Sequence, residues 1–84
     1  MDLSQAVLTD HALRQMAKRQ VTAADVHRVL AAPEQICEVR AGRVVAQGMV
    51  AGYLLRVFVD ADRTPAEVVT AYRMSQIEKY RNQP

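Results

Sequence analysis

Two kinds of hydrophobic periodicity divide the chain into an N-terminal part and a C-terminal part. Up to about residue 32, apolar residues recur every three or four positions, which is the spacing of amphipathic helices. After Pro33 apolar and polar residues alternate, which is the spacing of β-strands. The change of period predicts two helices followed by a sheet.

Signals for the start and end of a helix fit this division. Thr9 or Asp10 can cap a first helix that runs to about Arg19. Thr22 can cap a second helix, and Pro33 ends it because the residue before a proline resists the α conformation. The residues predicted to face the core are Leu13, Met16 and Ala17 in the first helix and Val26, Val29 and Leu30 in the second.

The C-terminal part contains four predicted strands, at 36–40, 43–50, 53–60 and 67–73. Ala41-Gly42 and Ala51-Gly52 join the first three strands, and glycine in such two-residue connections favours tight hairpins. The spacing Ser75-x-x-Glu78 is typical of a capping box and predicts a short C-terminal helix. We therefore predict one α+β domain over residues 1–84: two N-terminal helices, a four-stranded antiparallel meander and a short C-terminal helix.

Composition narrows the classes of function. The single cysteine, Cys37, cannot form an internal disulfide, and no Cys/His cluster has the spacing of a zinc site, so neither metal nor cofactor is expected. No stretch has the length and apolarity of a membrane helix, and the start of the chain does not resemble a signal peptide. A cytoplasmic location without membrane contact is expected. The net charge of +2 is only weakly indicative of nucleic acid.

The first predicted helix carries a row of basic residues. His11, Arg14 and Lys18 are spaced i, i+3 and i+7, so they share one helix face. Such a face can bind phosphate, through bidentate arginine, a lysine charge and a histidine that carries protons near neutral pH. The alternative is an ordinary solvated face. Arg19, at the helix end, is a phosphate-binding candidate as well, or simply complements the helix dipole.

Arg56 lies inside the most apolar predicted strand. Alternation places Leu55 and Val57 on one face of that strand and Arg56, with Phe58, on the other. Arg56 can bind an anion, pair with an acid such as Glu67, or cover apolar neighbours with its stem. The residues do not choose between these roles.

Tyr72 and Arg73 follow each other at the end of the last predicted strand, so they point to opposite faces of the sheet. Only one of them can share the face of Arg56. The register between the last two strands decides which, and the sequence leaves that register open. Tyr72 can otherwise belong to the core.

Several segments together resemble a bacterial family known only as a domain of unknown function. The runs that carry this resemblance are LTDHALRQMAKRQVTAADVHRVL, GRVVAQG, LLRVFVD and VVTAYRMSQIEKY. A more distant likeness is to BrnT toxins, within the RelE-like toxin group. It rests on Lys18-Arg19-Gln20-Val21-Thr22, where a basic helix end leads into a capped helix, and on Tyr72-Arg73-Met74-Ser75, an arginine-bearing turn after the last strand.

The likeness to these toxins implies an endoribonuclease that needs no metal and is neutralised by an antitoxin protein. The RNA 2′-hydroxyl would attack the neighbouring phosphate, cations would stabilise the charge, and a proton carrier would assist. The implied catalytic residues are Lys18, Arg56 and Arg73 for charge, and Tyr72 or His11 for the proton. The implied RNA phosphate-binding residues are Arg14 and Arg19.

Two other functions fit the same residues. The domain can be a non-catalytic module that binds RNA or a protein, or a small scaffold whose arginines only form ion pairs. An exposed edge strand would also allow two copies to pair.

Overall fold

The computed structural model describes residues 1–74 of the chain. In this part the elements are, in chain order, β1 (Val7–Leu8), α1 (Asp10–Arg19), α2 (Ala23–Ala31), β2 (Gln35–Arg40), β3 (Arg43–Val50), β4 (Tyr53–Asp60) and β5 (Glu67–Met74). The C-terminal helix predicted to begin at Ser75 lies outside the described residues. The bounds of β2 to β5 agree with the four predicted strands to within one residue.

The five strands form one sheet in the order β1-β5-β4-β3-β2. Strands β2 to β5 pair antiparallel with their sequence neighbours, as predicted. β1, however, pairs parallel to β5, with Val7 opposite Glu67 and Leu8 opposite Val68. The predicted four-stranded antiparallel meander is therefore wrong, because the sheet is five-stranded and mixed. A two-residue strand is too short for periodicity to reveal, and its partner lies far away along the chain.

Both helices begin where their caps were predicted, and of the two candidates for the first cap the structure has Thr9 rather than Asp10. The side-chain oxygen of Thr9 accepts a hydrogen bond from the Ala12 N–H, and that of Thr22 accepts one from the Asp25 N–H, each at 3.1 Å. Gln20 ends α1 in the left-handed conformation, with φ of 58°. This sharp end turns the chain directly into the cap of α2.

The buried face of α1 differs from the predicted one. Met16 is buried as expected, but Ala12 is its buried partner, while Leu13 is 43% exposed and Ala17 is exposed. The prediction was wrong for Leu13 and Ala17. Helical spacing allows Met16 to share a buried stripe either with Leu13 and Ala17 or with Ala12, and in the structure the stripe of Ala12 and Met16 is the buried one. In α2 the three predicted core residues, Val26, Val29 and Leu30, are all buried.

The core lies between the helices and one face of the sheet. α1 packs against β5, and α2 packs against β3 and β4. The central strand contributes Leu55, Val57 and Val59 to this first face, and all three are fully buried. The opposite face of β4, which we call the second face, carries the alternate residues Leu54, Arg56 and Phe58. The predicted division of β4 is confirmed.

Candidate nucleic-acid interface

The register of the sheet assembles a polar and aromatic group on the second face. Arg56 in β4 lies directly opposite Tyr72 in β5, and Phe58 lies opposite Thr70. Because side chains two residues apart in a strand share a face, these four side chains form one patch across the two strands. Arg56, Phe58, Thr70 and Tyr72 are all partly exposed.

Within this patch two rings stack and two arginines lie over them. The centroids of Phe58 and Tyr72 are 5.5 Å apart, with an angle of 22° between the ring planes. The guanidinium carbon of Arg56 is 5.6 Å from the centroid of Phe58, and that of Arg19 is 5.7 Å from the centroid of Tyr72. Both distances are within the range of cation–π contacts. We call Arg19, Arg56, Phe58 and Tyr72 the arginine–aromatic surface.

Arg19 reaches this surface from the end of α1. One terminal nitrogen of its guanidinium donates to the Thr70 hydroxyl at 2.8 Å and to the Ala71 carbonyl at 3.3 Å. These bonds tie the last turn of α1 to β5. The sequence identified Arg19 as a candidate but did not place it over Tyr72.

Two glutamine side chains, in β2 and β3, connect to Arg56 from the side of the sheet away from β5. Gln47 in β3 lies opposite both Gln35 in β2 and Arg56 in β4. Its Nε2 donates to Gln35 Oε1 at 2.9 Å, and its Oε1 accepts from Arg56 Nε at 3.1 Å. Of the three roles open to Arg56, pairing with Glu67 is absent from this structure, since Glu67 pairs with Arg63 at 2.8 Å.

Arg73 lies on the first face of the sheet, opposite Leu55. Its guanidinium carbon is 5.1 Å from the centroid of the Tyr53 ring, and the Tyr53 hydroxyl donates to Asp25 Oδ2 at 3.3 Å. The structure therefore brings Arg56 together with Tyr72 and separates both from Arg73. A single phosphate pocket lined by Arg56 and Arg73 is not formed by the described residues.

The basic row of α1 is exposed. The side chains of His11, Arg14 and Lys18 make no hydrogen bond or ion pair within residues 1–74. Residues three or four positions apart are neighbours on a helix surface. Gln15 is therefore a neighbour of His11, of Lys18 and of Arg19. His11 and Lys18 therefore lie on the flank of α1 from which Arg19 reaches the second face, and Arg14 lies one step further round.

The residues that sequence reasoning did not single out are Phe58, Thr70, Gln47 and Gln35. A signal for Gln47 was present, because it interrupts the apolar residues of a strand that is otherwise buried over most of its length. A signal for Phe58 was its position two residues after Arg56. Thr70 and Gln35 enter through the exact register of the strand pairs, which shifts once within β2–β3 and once within β4–β5 and was left open by the sequence.

The surface combines groups that suit a nucleic acid. Guanidinium groups bind phosphate bidentately, and flat aromatic rings offer stacking positions for unpaired bases. In the described part of the chain no group of three or more His, Cys, Asp or Glu side chains could hold a metal ion. Neither helix of residues 1–74 is long and apolar enough to cross a membrane.

Comparison with known families matches residues 8–73 to the family described as domain of unknown function DUF4258. The match covers most of the chain, and the protein belongs to that family. It confirms the resemblance inferred from the sequence motifs, whereas the likeness to BrnT and RelE-like toxins stays a hypothesis. No match was found among curated proteins or among solved structures.

Proposed function

We propose that this domain binds single-stranded RNA on the second face of its sheet. The observation that supports the proposal is the arginine–aromatic surface, in which two stacked rings are flanked by two guanidinium groups. Arg56 and Arg19 would hold phosphates, and the exposed parts of the Tyr72 and Phe58 rings would stack against bases. The exposed Lys18 would extend the basic path along α1.

Unpaired RNA fits this surface better than a duplex. The rings of an aromatic platform can stack only against bases that are not enclosed in a helix, and single-stranded RNA offers such bases. The A-form duplex instead presents phosphates and 2′-hydroxyl groups around a regular groove. We therefore expect a fluorescently labelled single-stranded oligoribonucleotide to bind more tightly than the same sequence in a duplex.

The first test compares two arginine-to-alanine variants. Arg56→Ala should weaken binding of the single strand by about tenfold, because a charge-assisted phosphate contact is lost. Arg28→Ala removes an exposed arginine from α2 and serves as the matched control for loss of charge. Fluorescence anisotropy measures both affinities, and circular dichroism checks that each variant is folded.

Arg73→Ala discriminates between the two faces of the sheet. Because Arg73 lies over Tyr53 on the first face, its removal should have the small effect of the Arg28→Ala control. A loss equal to that of Arg56→Ala would contradict binding on the second face. The salt dependence gives a further check, since each lost phosphate contact should reduce the slope of log affinity against log salt by about 0.7.

A second candidate function is cleavage of the bound RNA, as in the toxin interpretation. The observation that favours it is the position of Tyr72, which lies opposite Arg56 and beneath Arg19. The 2′-oxygen would attack the adjacent phosphorus and lose its proton, and the 5′-oxygen would leave and gain a proton. Arg56 and Arg19 would stabilise the pentacoordinate charge, and Tyr72 would transfer the proton, with His11 as the alternative carrier.

Tyr72→Phe tests cleavage separately from binding. The phenylalanine keeps the ring stack and removes only the hydroxyl, so RNA affinity should stay within about twofold while cleavage falls by roughly a hundredfold or more. Labelled RNA incubated with chelator and resolved on a gel measures the reaction, whose product should end in a 2′,3′-cyclic phosphate. Intact RNA in the presence of wild-type protein would reject this second function and leave the binding proposal standing.

The toxin interpretation also implies a protein partner and a cellular location. It implies a cognate antitoxin protein and a cytoplasmic site of action, where the RNA is. Strand β2 is an edge strand of the sheet, so a second copy or a strand of a partner protein would pair with its free edge. Growth arrest on expression, relieved by Arg56→Ala, is the expected sign of a toxin.

A further inference from the structure

Gln47 is a buried polar side chain in a strand that is otherwise mostly apolar. It is 1% exposed, in the middle of a strand whose other central residues include Val45 and Ala46. Burial of an amide is unfavourable unless both its donor and its acceptor are bonded. Here each end of the amide is bonded, and each partner is a side chain from a neighbouring strand.

These two bonds define the orientation of three side chains. Because Gln47 Nε2 donates to Gln35, its Oε1 must point to the other side, toward β4. There it accepts from Arg56 Nε, the nitrogen nearest the arginine stem. A guanidinium held at Nε keeps the orientation of its plane, and the two terminal nitrogens that form the bidentate fork lie at the far end of that plane.

We propose that Gln47 is a positioning residue, whose buried amide, oriented by Gln35, fixes the guanidinium plane of Arg56 before RNA arrives. The proposal rests on the proposed RNA-binding function. Arginine has many rotamers, and a side chain that is already ordered loses less entropy when it binds phosphate. Gln47 would therefore raise the affinity for RNA without touching it, by ordering the side chain of Arg56.

A purely structural role would give a different result on substitution. Methionine has nearly the shape of glutamine and no amide, so Gln47→Met fills the same space. Gln35 and Arg56 are partly exposed and can recover hydrogen bonds from water. Loss of a hydrogen-bonding side chain is costly mainly when its partners stay buried and unsatisfied, which is not the case for Gln35 and Arg56. We therefore expect Gln47→Met to remain folded with its unfolding midpoint nearly unchanged.

The experiment is a double-mutant cycle on the full chain with a fluorescent single-stranded oligoribonucleotide. Gln47→Met should reduce RNA affinity by roughly two- to tenfold, which is the effect of losing one preordered side chain. In the Arg56→Ala background the same substitution should have no effect, because the group that Gln47 holds is already absent. Gln5→Met, the same substitution at an exposed position near the N-terminus, is the matched control.

A second readout does not depend on RNA. In NMR spectra of the free protein, the Nε–H signal of Arg56 should be protected from exchange with solvent in the wild type and lose that protection in Gln47→Met. Unchanged protection, or an equal loss of affinity in the wild-type and Arg56→Ala backgrounds, would overturn the positioning role. If Arg56→Ala weakens RNA binding and Gln47→Met does not, this inference fails alone. If the wild type does not bind RNA, the proposed function fails and this inference fails with it.

Discussion

At the scale of single residues, the buried carboxylate of Asp60 at the end of β4 is stabilised by two arginines. Its carboxylate accepts two hydrogen bonds from Arg43, at 2.8 Å and 3.2 Å, and Arg63 lies 3.9 Å away. The hydrogen bond from Arg43 lowers the pKa of Asp60 below its usual value of 3.8, and the positive charges of Arg43 and Arg63 act in the same direction. The contact joins the residues at the ends of β3 and β4, which are directly opposite each other.

The lowered pKa of Asp60 predicts how stability depends on pH. A carboxyl group with a lower pKa in the folded state stabilises the fold above its unfolded pKa, and this contribution is lost as pH falls through the folded pKa. Asp60→Asn should therefore be less stable than the wild type at pH 7, and the difference should narrow below about pH 4. Denaturant unfolding at a series of pH values measures it, and a difference independent of pH would contradict the role of this ion pair.

The sequence predicted which single residues are unusual but not which side chains they contact. The polarity of Arg56 within an apolar strand marked it as a residue with a special role, and it does lie at the candidate site. The predicted two-residue turn at Ala51-Gly52 pairs Val50 with Tyr53 and therefore Gln47 with Arg56, but pairing alone does not predict the hydrogen bond between the two side chains. The sequence therefore identified Arg56 as a functional candidate, but it did not predict the side-chain contact that orients it.

At the scale of elements, the two threonine caps have different surroundings. Within residues 1–74 the Thr22 hydroxyl takes part only in the bond that caps α2, in an exposed position. Thr9 accepts the capping bond of α1 and also donates its hydroxyl proton to the Val68 carbonyl at 2.9 Å. Thr9 thus fastens the start of α1 to β5, just as Arg19 fastens its end. Together they fix the helix that supplies the basic residues along the edge of the sheet.

Substitution of the two caps should reveal this difference. Thr22→Ala should lower the free energy of unfolding by about 1 kcal/mol, the usual effect of losing a cap. Thr9→Ala should lower it by about 2 kcal/mol, because the bond to β5 is lost in addition. Thr9→Ser keeps the hydroxyl and is the control. Equal losses for both alanine variants, measured by urea unfolding, would show that the bond to Val68 contributes nothing.

At the scale of the whole molecule, one extra residue decides what the second face contains. Strands β4 and β5 pair with a register shift, since Phe58 lies opposite Thr70 while Val59 lies opposite Val68. Val69 is the additional residue in β5, so the strand contains a bulge at this point. Without it, the alternation would bring Arg73 rather than Tyr72 to the face of Arg56. The bulge therefore places Tyr72 instead of Ala71 opposite Arg56 and moves Arg73 to the first face.

The assignment of the two faces can be tested through folding. Val57 is fully buried on the first face, so Val57→Asp would place an unpaired charge in the core and should unfold the domain. Val39 lies in the outermost strand β2 and is 49% exposed, which makes Val39→Asp the matched control. Circular dichroism and thermal unfolding should show a folded Val39→Asp variant. A folded Val57→Asp variant would mean that the face assignment is wrong.

The sequence alone determined the elements that depend on local physics. The threonine caps, the buried row of α2, the bounds of β3 and β4 and the alternation within β4 follow from nearby residues, because caps, turns and periodicity act over a few positions. Tertiary structure alone decided the parallel pairing of β1, the stripe that α1 buries and the face to which Tyr72 and Arg73 belong. These depend on strand register and on packing between segments distant in the chain, and a shift of one residue in register exchanges the two faces of a strand.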